Sequence, residues 1–340
     1  MTANEEDKLG LEFLNYYSEL TKKDFSLKEI NRIFGGASKE TYRIRLLDSD
    51  EEEVRLIYRR SQESSLIETE QLTEYSAYSA FQDSSVPVPK TIAIEESSDK
   101  LGAPFIVMEE LSGSAASPFD SSAYNPHEEA IGREFWKILA EITLKDLSDP
   151  ALINLDGPVE KEKPWKRELD HWNRIINSDS IGVEPILEAA IRYLYKNPPE
   201  DSSKRCLVHG DYRNGNFLTE DGIITGILDW EMAHIGDPLE DLAWALSPIW
   251  SWEDHSKPAY LIDREEALKI WSQSSDIKIN KESLFWWELF SCVKGLAIWI
   301  SAGHEFISGD NIDPINLFSA WIPGDIHTEI ILNILEGELH

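Results

Sequence analysis

The sequence predicts an α+β chain with its sheet first and its helices last. Strand-type runs joined by small-residue or acidic turns dominate up to about residue 111, whereas the last third carries long apolar helical patterns such as Leu284–Ile300. Between them, Leu207–Trp230 compresses a strand, a loop and a hairpin into one short segment. At 340 residues and 41% hydrophobic content, the chain suits one two-lobed unit or two domains with an ample core.

In chain order, a leading helix is expected first. Ile33–Leu46 then reads as strand, small-residue turn and strand, with Gly35, Gly36, Ala37 and Ser38 in the turn. Val54–Arg60 is a further strand, and its alternation puts Arg59 and Arg60 on opposite faces. A helix follows over Ser65–Phe81, with Leu66, Leu72, Tyr75, Tyr78 and Phe81 as its apolar stripe and Glu68, Glu70 and Glu74 as its acids. Pro104–Gly113 is an apolar strand that runs into two acids and then glycine. Ser112–Asn125, Asn177–Val183 and Asn197–Pro199 read as loops or connectors.

The segment Leu207–Trp230 carries the chemistry. Cys206–Val208 is apolar enough to bury as a strand, and Gly210 frees the backbone to turn so that Asp211 projects from a loop. Phe217–Thr219 and Ile223–Leu228 are strand-type runs separated by Glu220-Asp221-Gly222, a good hairpin turn. A hairpin brings its ends together, so Asn216 should lie near Asp229. An amide oxygen and a carboxylate would then converge as a hard cation prefers, while Asp211 could orient a hydroxyl and accept its proton. A single Asp or Asn in a loop is more often a cap or turn residue than a ligand, and it is the ordered set that points to phosphoryl transfer. Farther on, Gly236–Trp244 looks like a helix start, with Asp237 as N-cap, Pro238 at the first position and Glu240 completing a capping-box-like pair. Asp241 falls among Leu239, Leu242, Ala243 and Leu246, where a carboxylate needs hydrogen-bond donors.

At these residues the chain resembles the protein-kinase-like superfamily, and within it the aminoglycoside phosphotransferase family. The kinase catalytic loop places its base five residues before a metal-binding Asn, as Asp211 and Asn216 are spaced, and a metal-binding Asp follows a hairpin later, as Asp229 does. His-Gly-Asp and Asp-Trp-Glu stand in place of His-Arg-Asp and Asp-Phe-Gly, which points to the small-molecule branch. The resemblance is nearest to the phosphotransferase domains fused to some acyl-CoA dehydrogenases. It implies a two-lobed kinase-like fold, with an N-terminal nucleotide-binding lobe over residues 1–111 and a C-terminal catalytic and acceptor-binding lobe over 112–340. It further implies ATP and Mg²⁺ as cofactors, with Asp211 as catalytic base and Asn216 and Asp229 as metal ligands.

The remaining assignments follow from the same resemblance. Gly35, Gly36 and Ser38 would cover the phosphates with their backbone amides. Arg59 takes the place of the usual phosphate-holding Lys, with Arg60 as fallback, and Glu74 is its ion-pair partner. Met108 would line the adenine pocket, with the backbones of Glu109 and Leu111 reading the base. His209 would support the loop, and Asp241 would brace it through backbone donors. No Gly-x-x-x-x-Gly-Lys-Ser/Thr run is present, which counts against a P-loop enzyme.

Composition bounds the partners. A net charge of −31 disfavours nucleic acids and anionic membranes and suits a cationic acceptor, although excess acid also serves solubility. No twenty-residue apolar stretch appears, and the acidic N-terminus is unlike a signal peptide, so a cytoplasmic location is expected. Two cysteines, Cys206 and Cys292, are too few for a zinc cluster and are expected to be reduced.

The expected acceptor is a small-molecule hydroxyl, aminoglycoside-like or a metabolite alcohol such as choline, homoserine or a hydroxyacyl thioester. A non-catalytic nucleotide-binding module is the alternative from another class. Eight tryptophans follow position 240, at 244, 250, 252, 271, 286, 287, 299 and 321; they could cage a quaternary amine, although such residues are more often core. Glu288, His304 and Asp310 are acceptor-contact candidates without a motif behind them.

Overall fold

The computed structural model describes residues 3–337 apart from 34–38, 62–67, 118, 159–161, 181, 201 and 203. Helix α1 (Ala3–Thr21) leads into strands β1 (Ser26–Ile33), β2 (Lys39–Leu47) and β3 (Glu53–Ser61), then helix α2 (Glu68–Ala80), β4 (Thr91–Glu95) and β5 (Phe105–Glu109). The five strands form one antiparallel sheet in the order β1-β2-β3-β5-β4. Alternation along β3 decides what each face meets. Leu56 and Tyr58 join Phe13 of α1 and Phe105 in one core, where the Tyr58 ring lies 5.2 Å from Phe13 and 5.1 Å from Phe105. Arg59 is thereby turned to the opposite face, where α2 packs.

The second part is largely helical. It begins with the two-residue strand β6 (Ser114–Ala115), followed by α3 (Glu128–Thr143), α4 (Pro164–Asp179) and α5 (Pro185–Lys196). Strands β7 (Cys206–Val208), β8 (Phe217–Glu220), β9 (Ile223–Ile227) and β10 (His234–Gly236) come next, in two small antiparallel sheets, β10-β7 and β6-β8-β9. Helices α6 (Pro238–Leu246), α7 (Arg264–Ser275), α8 (Lys281–Ser308) and α9 (Pro314–Glu336) close the chain. The axis of this part is α8, which packs against α4, α5, α6 and α9. Its Trp286, Trp287, Phe290, Val293, Leu296 and Ala297 are all buried, as the sequence pattern predicts. The core continues past α6 and the β8-β9 hairpin to α2 and to Ile106 and Met108 of β5, so the two parts share one apolar interior.

Some expectations change. Helix α4 runs through Asn177–Asp179, so the predicted loop there starts with a last helical turn. Helix α8 is long and apolar enough to cross a membrane by length and mean hydropathy, because Glu288 and Lys294 interrupt the apolar run without lowering its average much; 72% of its most apolar stretch is buried, which makes it a core helix. Of the eight late tryptophans, Trp244, Trp250, Trp271, Trp286 and Trp287 are buried, Trp252 and Trp299 are half-buried, and Trp321 is 65% exposed. Asp237 caps α6 through its bond from the Leu239 amide at 2.9 Å, but Glu240 does not turn back to form a box. Its buried carboxylate faces His234 instead, at 3.2 Å, because an adjacent buried imidazole that can carry charge is a better partner than a neutral backbone amide.

Candidate active site

The β8-β9 hairpin closes on Asp221 and Gly222, both with positive φ (50° and 81°), the two-residue turn whose twist matches paired strands. Phe217 pairs with Ile227, and the Leu228 amide donates to the Asn216 carbonyl at 2.8 Å, so Asn216 and Asp229 leave the same end of the hairpin. Asp229 itself sits in the left-handed region at φ 67°, a conformation that costs a non-glycine residue about 1 kcal/mol or more, and its amide donates to the Tyr78 hydroxyl of α2 at 3.1 Å.

Asp211 is held from several directions. Its Oδ1 accepts from Trp244 Nε1 at 2.8 Å and from Arg213 Nε at 3.0 Å, and its Oδ2 accepts from Asn216 Nδ2 at 2.6 Å. Neither Arg213 nor Trp244 was singled out from sequence as a partner of Asp211. Arg213 also lies over the Trp250 ring, 4.7 Å from its centroid. The loop backbone is fixed as firmly. Asp241 accepts from the amides of His209 (2.6 Å) and Gly210 (2.9 Å), the donors its apolar setting calls for. Burial pushes the Asp241 carboxyl up. His209 is buried; burial holds its pKa down, and the hydrogen bonds assign the neutral tautomer. Its Nδ1 accepts from the Asp211 amide at 3.1 Å, so Nε2 carries the proton donated to the Leu228 carbonyl at 2.9 Å.

Opposite the loop is a cluster of charges. Arg59 donates to Glu74 at 2.5 Å and to Asp229 at 3.1 Å, while Lys39 lies 2.9 Å from Glu74 and 3.3 Å from Glu231. Glu74 and Lys39 are buried, and Arg59, Asp229 and Glu231 are half-buried. Burial opposes ionisation of Asp229, yet Arg59 beside it holds the carboxyl below the ordinary range. Glu231 goes the other way, pushed up to about 7 by burial and by the Asp229 charge. Lys39 and Glu231 were not recognised from sequence; the only available signal was their position, one directly after the glycine turn and the other two residues beyond Asp229. Arg60 points away from the cluster, toward Glu40 at 3.5 Å. The side chains of Glu68 and Glu70 fall outside the described residues, as do Gly35, Gly36 and Ser38.

Met108 is buried at the end of β5, and the chain leaves the sheet at Glu109. The Glu109 amide donates to the Lys90 carbonyl at 2.9 Å. Leu111 packs over Gly226 of β9, where any Cβ would come within 2.3 Å of its side chain. The proposed acceptor contacts are all engaged locally: Glu288 with Arg264 at 2.5 Å, His304 with the Asp179 carbonyl at 3.2 Å and Asp310 with the Ser308 hydroxyl at 2.6 Å.

Similarity to known proteins identifies the family. The phosphotransferase enzyme family, APH, matches residues 29–275. The chain belongs to that family. It is 28% identical to mouse (Mus musculus) acyl-CoA dehydrogenase family member 10 over 215 residues, 62% of this chain and 19% of that protein. It is also 28% identical to rat (Rattus norvegicus) acyl-CoA dehydrogenase family member 11 over 182 residues, 53% of this chain and 23% of that protein. The chain thus spans about a fifth of the length of these relatives. Among solved structures, a Ralstonia eutropha protein assigned as an aminoglycoside phosphotransferase superposes with a TM-score of 0.76 at 19% identity, covering 96% of this chain and 98% of that one. Aminoglycoside phosphotransferase APH(4)-Ia, in complex with ADP and hygromycin B, gives 0.61 at 16% identity over 94% and 98% of the two chains. The fold of this APH-family chain is therefore the two-lobed kinase-like one, and the chain is a phosphotransferase of that fold.

Proposed function

We propose that this chain transfers the γ-phosphate of ATP to a hydroxyl group of a small molecule, with Asp211 as the base. The observation that carries the reading is the convergence of Asp211, Asn216, Asp229 and Arg59 on one end of one hairpin. Asp211 accepts the proton of the acceptor hydroxyl as its oxygen bonds to phosphorus, and ADP leaves with the electron pair of the broken P–O bond. Trp244 and Arg213 hold the carboxylate toward that hydroxyl. Arg59, kept in place by Glu74, neutralises phosphate charge. Its Nε is buried without a partner, which suits an incoming anion.

The donor set also fits magnesium. Asn216 and Asp229 offer hard oxygen ligands, and the crowding of Asp229, Glu74 and Glu231 around two cations leaves an acid in excess. When bound, the metal would be held by Asn216 and Asp229 and would offset phosphate charge. We assign the adenine side to Met108, Glu109 and Leu111, and draw the lobe boundary between Leu111 and Ser112, where β5 gives way to the loop before β6.

Support for nucleotide and small-molecule use comes from neighbours of the same fold, one bound to ADP and hygromycin B and another to streptomycin and ATP. The acceptor here is a small alcohol, and the net charge of −31 favours a cationic one. The test is a magnesium-dependent thermal shift with ATP, followed by ADP formation across a panel of hydroxyl compounds. Asp211→Asn should lower ADP formation by about 10²- to 10⁴-fold and leave Mg-ATP binding intact. Undiminished turnover in that variant would remove the mechanism, and binding without turnover for any acceptor would favour a binding module.

A further inference from the structure

Lys294 lies in the middle of α8 on a face that is otherwise apolar, and it is 2% exposed. A buried ammonium persists only where donors and charge are compensated. Its nearest carboxylate, Glu240 Oε1, is 3.7 Å away and accepts no hydrogen bond. Its hydrogen bond goes instead to the Gly210 carbonyl, at 2.6 Å. The ammonium also lies over two indoles, 4.9 Å from the Trp244 ring centre and 5.7 Å from that of Trp172.

These contacts lead to the same residue. The Gly210 carbonyl belongs to the peptide unit whose N–H is that of Asp211, and that N–H reaches His209 Nδ1. Gly210 has φ +87°, and a Cβ there would come within 2.5 Å of the Met232 carbonyl, so only glycine is accepted. A peptide beside a glycine in this region turns over at little cost, which would take the Asp211 amide off His209. Asp241 holds the other side of Gly210 but does not touch this peptide oxygen. Trp244, beneath the ammonium, donates its Nε1–H to Asp211 Oδ1 at 2.8 Å.

We propose that Lys294 is a positioning residue for Asp211, clamping the Gly210–Asp211 peptide through the carbonyl and seating the indole that aims the carboxylate. The inference rests on the assignment of Asp211 as base only for its kinetic consequence. The clamp itself concerns the geometry of the loop. The surrounding carboxylates, Glu240 and Glu168, are shared with His234 and Arg167, so the loop carbonyl is the contact that Lys294 alone supplies. A metal in the Glu168–His234–Glu240 group is disfavoured by the two cations already facing it.

The test uses the full chain in three forms: Lys294→Met, Trp244→Phe, and the double variant Glu240→Gln/Lys294→Met, in which the carboxylate nearest the lost cation is neutralised as well. The readouts are backbone hydrogen exchange by segment and steady-state ADP formation with the most active acceptor of the panel. In the single and double Lys294 variants, exchange at residues 209–211 should rise about tenfold or more, with β2, β3 and β5 unchanged. The kcat should fall about 10- to 100-fold while the KM for ATP stays within about twofold. Trp244→Phe should lower kcat without loosening the 209–211 amides. A folded double variant with wild-type exchange in the loop overturns the proposal, as does faster exchange spread evenly over both lobes. Exchange needs no turnover, so the two readings fail separately. If Asp211→Asn remains active while Lys294→Met still loosens the loop, the catalytic assignment falls and the clamp stands.

Discussion

Asp211 and Asp229 face each other across the same hairpin end, yet they are held by opposite means. Asp211 sits on a backbone pinned at His209, Gly210 and the Gly210 carbonyl, and its carboxylate meets an indole, a guanidinium and an amide. Asp229 meets Arg59, within a cluster where Lys39 and Arg59 share three carboxylates. Hydrogen bonds to a backbone have fixed direction and no alternative partner. Ion pairs among several acids and bases exchange partners at small cost when another charge arrives. The loop is therefore built to stay, and the cluster, under the proposed function, would rearrange around phosphate and metal.

The sharpest way to break this contrast is to remove the brace on the loop side. Asp241→Ala strands the buried amides of His209 and Gly210, each costing about 1–3 kcal/mol. The expected loss is about 3 kcal/mol or more, read as a lower urea midpoint with an unchanged slope. A loss below about 1 kcal/mol would mean that the loop holds itself and that the brace is incidental.

The two sides also differ in how far the sequence revealed them. The loop side was legible because its chemistry depends on order along the chain: Asp211, Asn216 and Asp229 are tied by spacing and by a turn that only Asp-Gly chemistry explains. Asp241 was legible because a carboxylate among leucines demands donors. The cluster side was half legible. Arg59 and Glu74 could be placed, and alternation along β3 turned Arg59 rather than Arg60 toward the site. Lys39 and Glu231 could not, since a Lys on a strand and a Glu after Trp look like surface residues until the fold buries them together. Lys294 is illegible for the same reason, and the capping-box reading of Glu240 fails because helix starts favour acids whatever they face. The late tryptophans leave no legible acceptor site, because they are mostly packing and carry no pattern that distinguishes a binding surface from a core.

The next test works behind the loop. His234 is buried between Glu168 and Glu240, with Arg167 and Lys294 also facing those acids. Burial alone would lower its pKa, but the two acids raise it to about 9. A group raised in the folded state contributes its stability fully below its unfolded value, near 6.5, and loses it as pH rises through about 9. Relative to His234→Gln, the wild-type chain should lose on the order of 3 kcal/mol over that window, as each pK unit carries about 1.4 kcal/mol. Parallel stability curves for the two proteins would mean that His234 does not carry its proton in the folded state.

The smallest effect is expected in the cluster, in a different window. Glu231 is raised to about 7, by burial first and by the Asp229 charge second, against an ordinary carboxylate value of 4.5. Its contribution is therefore complete below pH 4.5 and is lost as pH climbs through about 7, which is the sense opposite to a carboxylate stabilised by its partners. The Glu231 side chain is 22% exposed, so solvent screening reduces the loss to about 1–2 kcal/mol. Subtracting the stability curve of Glu231→Gln from that of the wild type should isolate this slope between pH 4.5 and 7 and leave the His234 window untouched. Saturating Mg-ATP should then make it shallower, because a cation beside Asp229 would cancel the second cause of the rise and leave burial, the first. An unchanged slope at saturation would place the metal away from this pair of carboxylates, and the cluster would then be a fixed structural feature like the loop it faces.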